Sequence, residues 1–212
     1  MARAISNKNV VNAKFEVAEF DGAFLASFGK PELRGSWIIY GGSGSGKTTF
    51  VMQLSKYLTR FRRVAYNSLE QGLSLSLQKA WERVAMEEVG SRIILLAKES
   101  LQDLKLRLSK KQSPDIVVID SVQYWHGLKW SDFTSLKDGY PNKLFIFVSH
   151  ERGNLPDGKL AQKIRYDSDV KIRVEGYKAF VTTRYESPEL GEGGADFVIW
   201  EEGANKYWLD SL

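Results

Sequence analysis

Short apolar runs alternate along the chain with segments whose apolar residues recur at helical spacing. Phe20, Phe24 and Phe28 repeat at i, i+4 and i+8 and stop at Gly29-Lys30-Pro31, which predicts a short helix docked on a core. Ser36 to Tyr40 is a continuous apolar run of strand length that ends in a glycine-rich turn, and Val51, Leu54, Leu58 and Phe61 follow at helical spacing. Further strands are expected at 63–68 (RVAYNS), 92–96, 115–120 (DIVVID) and 143–150 (KLFIFVSH). Between them, Leu77, Trp81, Val84 and Glu88 mark one helix. Ser100 with Asp103 has capping-box character before Leu104 and Leu108, and 131–136 can form a short helix. Strands that are apolar throughout, separated by helices, predict a parallel sheet covered on both faces.

The pattern changes after residue 168. Residues 169–174 and 178–185 read as a hairpin about Glu175-Gly176-Tyr177. Residues 196–200 and 206–209, joined through 201–205, read as a second. With no internal repeat or linker, the expectation is an N-terminal arm (1–16) without clear period and one α/β domain over 17–212. That domain has a mostly parallel sheet flanked by helices, with antiparallel hairpin strands at its C-terminal edge.

Composition narrows the options. Of 212 residues, 43% are hydrophobic and 26% charged, which is globular and excludes a disordered tail or a collagen-like repeat. The absence of Cys removes a disulfide framework and a zinc ribbon, and two His argue against an all-protein zinc site. No run approaches the roughly 18 apolar residues of a membrane span, and the N-terminus lacks an apolar signal core, so a soluble, cytoplasmic protein with no membrane partner is expected. The net charge of +4 hides an asymmetry: residues 185–212 carry seven acids and one Lys, and residues 1–184 hold +10. A basic body suits a polyanion, although solvated surface charge accounts for it equally.

One motif carries chemistry. Gly41-Gly42-Ser43-Gly44-Ser45-Gly46-Lys47-Thr48 matches G-x-x-x-x-G-K-[ST], follows an apolar strand and opens an amphipathic helix. Glycines let backbone N–H groups point inward around phosphates, and the helix N-terminus adds partial positive charge. Lys47 can reach the β- and γ-phosphates, Thr48 can ligate Mg²⁺, and Thr49 joins the nucleotide-binding set. Asp120 closes the strand Ile116 to Ile119 and is the expected second anchor for Mg²⁺, at the sheet edge where ligands bind. Glu70, just beyond the second strand, is a candidate base for water, or else a helix N-terminal Glu favoured by the dipole. Ser149 and His150 end the strand after Asp120. They can contact a γ-phosphate, or His150 is a polar strand cap.

These segments, in the order Walker A (41–48), a strand ending in Glu70, Walker B DIVVIDSVQ (115–123) and FVSH (147–150), resemble the RecA-like P-loop ATPases of RadA and DnaB type. The likeness covers about residues 20–210 and is strongest to small single-domain members of bacteria and phages. It implies a RecA-like core, ATP and Mg²⁺ as cofactors, Glu70 as catalytic base, and a homo-oligomeric ring or filament. In this family the segment after the sensing strand supplies DNA-binding loops. Here residues 151–167 carry Arg152, Lys159, Lys163 and Arg165, with Tyr166 able to stack on a base. A solvated loop is the other reading. Where relatives place Lys-x-Arg on a late strand, this chain has Thr182-Thr183-Arg184, so Arg184 is either an arginine finger without its Lys or a cross-strand ion-pair residue facing Glu186. Tyr124, Trp125 and Trp130 follow the Walker B strand as core, interface or base-stacking residues.

The expected function is an ATPase (ATP to ADP and phosphate) acting with single-stranded DNA in recombination, repair or replication. The alternative is a nucleotide-dependent switch or assembly factor with a protein partner and slow hydrolysis. A small-molecule kinase fits less well, because Glu70 stands where it activates water.

Overall fold

The computed structural model describes residues 4–209; residues 1–3 of the expected arm and 210–212 of the expected domain lie outside the described residues. In chain order the elements are α1 (Asn7–Val11), α2 (Gly22–Phe28), β1 (Gly35–Gly41), α3 (Lys47–Leu58), β2 (Val64–Ser68) and α4 (Leu75–Arg83). Next come β3 (Ile93–Ala97), α5 (Leu101–Leu108), β4 (Ile116–Asp120), α6 (Trp130–Gly139) and β5 (Leu144–Arg152). The chain closes with β6 (Leu155–Pro156), α7 (Lys159–Asp167), β7 (Val170–Glu175), β8 (Lys178–Thr183), β9 (Phe197–Val198) and α8 (Glu201–Leu209).

Among the described residues the strands form one sheet in the order β3-β2-β4-β5-β1-β7-β8-β9, with β6 paired to β5. β3 through β7 in that order run parallel, and β8 and β9 add antiparallel strands at one edge. The apolar strands have the physical cause expected of them. Successive side chains alternate between two cores, so neither face has room for polar residues. Trp37, Ile39, Tyr66, Val118 and Ile146 pack with α2 and α3 on one face. Ile38, Ala65, Val117, Ile119, Phe145 and Phe147 pack with residues of α5, α6 and α7 on the other. The Phe20/Phe24/Phe28 stripe closes over α3, where Phe24 stacks on Tyr57 with ring centroids 3.9 Å apart. Each fully buried Phe of this kind contributes roughly 1.5–3 kcal/mol.

Three stretches depart from expectation. Residues 201–209 form helix α8, not the second strand of a hairpin. Gly203 and Ala204, which resemble turn residues, are its buried face, and Gly203 is small enough to admit the Trp200 ring. Residues 151–167 are not an open loop: β5 runs on to Arg152, turns tightly into β6, and α7 follows with Ala161 and Ile164 buried. The helix expected up to Glu88 stops at Arg83, because Ala85 takes the left-handed conformation (φ 49) and a 3₁₀ segment continues over Met86–Arg92. No helix of the described residues is long and apolar enough to cross a membrane.

Candidate active site

The parallel strands bring their C-terminal ends to one sheet edge. In register, Gly41 lies beside His150, Asp120 beside Val148, and Ser68 beside Asp120. The residues that follow β1, β2 and β4 therefore meet in one place. They line a cleft of about 390 Å³ formed by Gly42 to Gly44, Gly46 to Thr49, Glu70, Asp120, Ser121 and His150, with Gln71, Arg83 and Tyr177.

The glycine loop is held tightly. Gly46 caps α3 with φ +94, and a Cβ there would lie 2.9 Å from the Tyr177 ring. A Cβ on Gly41 would lie 2.3 Å from the Val174 carbonyl oxygen, so β7 can approach β1 this closely only at a glycine. The Ser45 carbonyl accepts a 3.0 Å bond from the Tyr177 N–H, which ties the β7–β8 turn to the loop. The Ser45 hydroxyl is buried without a partner.

Lys47 donates from Nζ to the Gly41 carbonyl at 3.2 Å. Burial lowers its ammonium pKa, while the charges of Asp120, Glu70 and Glu151 act to raise it. Asp120 shows the converse. Burial pushes its carboxyl up; a bond from the Tyr66 hydroxyl, the Lys47 charge and a bond from Ser121 pull it back, and the Glu70 charge adds to the rise. Burial likewise lifts the Tyr66 hydroxyl well above its ordinary value, so this buried phenol remains a proton donor to Asp120. The Ser121 hydroxyl lies 3.2 Å from Asp120 Oδ1 and 3.0 Å from Glu70 Oε2, and His150 Nε2 lies 3.4 Å from the same Glu70 oxygen.

Glu70 is in the turn after β2, with α4 beginning at Leu75, so it is not in a helix first turn. Ser149 is turned away from the cleft: fully buried, it accepts from Gln123 Nε2 at 2.7 Å and donates to the His150 carbonyl at 2.8 Å. Of the three aromatic residues after β4, Trp125 is buried, whereas Tyr124 and Trp130 stay partly exposed against His150 and Phe133.

Arg184 is at the far end of the sheet. Thr183 pairs with Val170, which is level with Trp37, whereas the glycine loop starts at Gly41 beside Val174. Its guanidinium bonds Asp169 at 2.9 Å rather than the expected Glu186. The basic residues of 151–167 separate as well. Arg152, Lys159 and Lys163 are exposed, with Lys163 and Tyr166 four and seven residues beyond Lys159 on one face of α7, but Arg165 bonds the Tyr40 hydroxyl at 3.2 Å.

Thr48 and Asp120 are the hard-oxygen donors nearest the loop lysine. Among the described residues no three His, Cys, Asp or Glu side chains converge as a metal cage. One carboxylate and one hydroxyl fit Mg²⁺, which is held by few protein oxygens and takes its remaining ligands from water and substrate phosphates.

No protein-family model matches the chain. Among solved structures it superimposes on an ATPase domain of DnaB-like type with a TM-score of 0.57 at 18% identity, covering 82% of this chain and 84% of that one. It also superimposes on the flagellar accessory protein FlaH from Methanocaldococcus jannaschii, with a TM-score of 0.54 at 15% identity over 76% of this chain and 83% of the other. The fold is that of the RecA-like P-loop ATPases. Within this RecA-like fold, 120 residues are 30% identical to the DNA repair protein RadA of Streptococcus pneumoniae (strain ATCC BAA-255 / R6), or 56% of the chain. The chain spans only 27% of that relative's length. Arg83, Tyr177, Gln71 and Ser121 of the RecA-like cleft were not among the residues expected from sequence. They come from scattered segments, and only Ser121 had a signal, its position after Asp120.

Proposed function

We propose that the chain is a Mg²⁺-dependent ATPase that converts ATP to ADP and phosphate and acts with single-stranded DNA in recombination, repair or replication. The observation that carries this reading is the meeting of Lys47, Thr48, Glu70 and Asp120 in one glycine-lined cleft. Backbone N–H groups of the loop and the N-terminus of α3 cradle the phosphates, and Lys47 offsets their charge. Thr48 and Asp120 would hold Mg²⁺, which when bound neutralises charge on the β- and γ-phosphates. Glu70 accepts the proton of a water whose oxygen bonds to the γ-phosphorus as the bond to the ADP oxygen breaks. The Ser121 hydroxyl orients Glu70 at 3.0 Å, and His150, touching the same carboxylate, responds to loss of the γ-phosphate.

The DNA part rests on the RadA likeness and on the exposed face of α7 with Lys159, Lys163 and Tyr166 beside Arg152. Arg184, remote from its own cleft, serves catalysis only by reaching the cleft of another copy, so a ring or filament belongs to this reading. Thr182 in place of Lys and the Arg184–Asp169 ion pair favour a second reading, a slow nucleotide switch with a protein partner; FlaH, an accessory protein by its name, is consistent with it. Phosphate release with and without single-stranded DNA separates the two. Stimulation of about tenfold or more, about 1.4 kcal/mol in the barrier, is expected, with its loss in a Lys159→Glu/Lys163→Glu variant. Turnover indifferent to DNA would instead favour the switch.

A further inference from the structure

Thr49, Arg83 and Tyr177 line not only the phosphate cleft but also a neighbouring cavity of about 790 Å³, within the usual range for small-molecule sites. Gln53, Ile199 and Trp200 form other parts of its wall. Gln53 is one turn beyond Thr49 on α3 and so shares its face. Its Nε2 donates to the Ile199 carbonyl at 3.2 Å, which fixes the amide. Its Oε1 is buried and has no hydrogen-bond partner. A buried acceptor left open in a cavity wall calls for a donor on whatever fills the cavity.

The rest of the wall suits a flat ring. Tyr177 and Trp200 meet edge to face with centroids 5.0 Å apart. The Trp200 indole rests on Gly203, where a Cβ would lie only 2.1 Å from the ring, so α8 backs it at close contact. Arg83 spans the two cavities and offers a guanidinium to either a phosphate or a ring face.

We infer that this cavity holds the nucleobase of the nucleotide whose phosphates occupy the P-loop cleft, and that Gln53 Oε1 selects adenine by accepting a hydrogen bond from its exocyclic amine. The inference rests on the nucleotide reading above. Guanine carries a carbonyl at the same ring position, and two acceptors would then face each other. Tyr177, Trp200 and Arg83 make no such distinction between purines, so discrimination belongs to Gln53.

Calorimetric titration of the whole chain with Mg²⁺ and ATP, GTP or tripolyphosphate tests this. The expected result is ATP binding at least tenfold tighter than both GTP and tripolyphosphate. Gln53→Leu should bring the ATP-to-GTP ratio near one and leave tripolyphosphate affinity unchanged. Trp200→Ala, at a half-exposed side chain that the fold can spare, should weaken ATP and GTP together and keep their ratio. Tripolyphosphate binding as tightly as ATP, or a ratio that survives Gln53→Leu, overturns the nucleobase assignment alone. Failure of all three probes to bind overturns the nucleotide reading itself.

Discussion

Replacing Glu70 by Gln isolates the proton-accepting step from everything else the cleft does. The amide is nearly isosteric and keeps an oxygen for the Ser121 hydroxyl, now 3.0 Å from Glu70 Oε2. What it loses in the resting protein is the His150 contact at 3.4 Å, between side chains each about one-third exposed (36% and 34%). A pair so accessible to water contributes no more than about 1 kcal/mol, which in a protein of this size moves the melting temperature by about 2–4 °C at most. Removing the negative charge also relieves Asp120, whose carboxyl the Glu70 charge helps to push up, so binding of a polyanion is not impaired. Turnover should respond very differently. A positioned general base is worth about 10²–10⁴ in rate, or about 2.7–5.4 kcal/mol in the barrier. The assay is steady-state phosphate release beside calorimetric ATP affinity and a thermal melt, on wild type and Glu70→Gln. The prediction is a loss of at least a hundredfold in kcat with affinity and melting temperature nearly unchanged. A variant that keeps more than a tenth of the wild-type kcat would refute Glu70 as the base.

Two further predictions concern the groups behind the site. Tyr66→Phe removes a hydrogen bond to a buried carboxylate, worth roughly 1.5–3 kcal/mol, and should lower the melting temperature by about 3–12 °C; an unchanged melt would contradict the pairing with Asp120. Burial raises the Tyr185 hydroxyl to about 12, so the folded chain keeps a proton that the unfolded chain begins to release near pH 10. Its contribution is complete below pH 10 and is lost as pH climbs toward 12. Tyr185→Phe should therefore lose less stability than wild type over that interval in urea unfolding, and parallel losses would exclude the effect.

Much of this architecture is legible in sequence because a buried parallel strand leaves a plain trace: Ile116 to Ile119 faces two cores and admits no polar residue. The glycine loop is legible for a similar reason, since Gly41 and Gly46 stand where a Cβ would strike β7 or Tyr177. The C-terminal helix was hidden because the side chains that dock it are small. Gly203 and Ala204 meet Trp200 and the core by absence of bulk, which in sequence looks like a turn. Helix α7 was hidden because only Ala161 and Ile164 of its nine residues are buried, too few for an evident stripe. Arg83 and Tyr177 had no local signal at all. Their part in the cleft follows from a left-handed break at Ala85 that ends α4 and from a turn that puts Tyr177 against Gly46, both set by tertiary packing.

The central claim is that the glycine-lined cleft hydrolyses ATP, and the most direct measurement is phosphate release from Mg²⁺-ATP by wild type beside Lys47→Ala and Asp120→Asn. The account predicts turnover in the wild type and its loss in both variants, each still showing a cooperative melt. Turnover that persists in Lys47→Ala, or a wild type that binds ATP yet releases no phosphate, would contradict it.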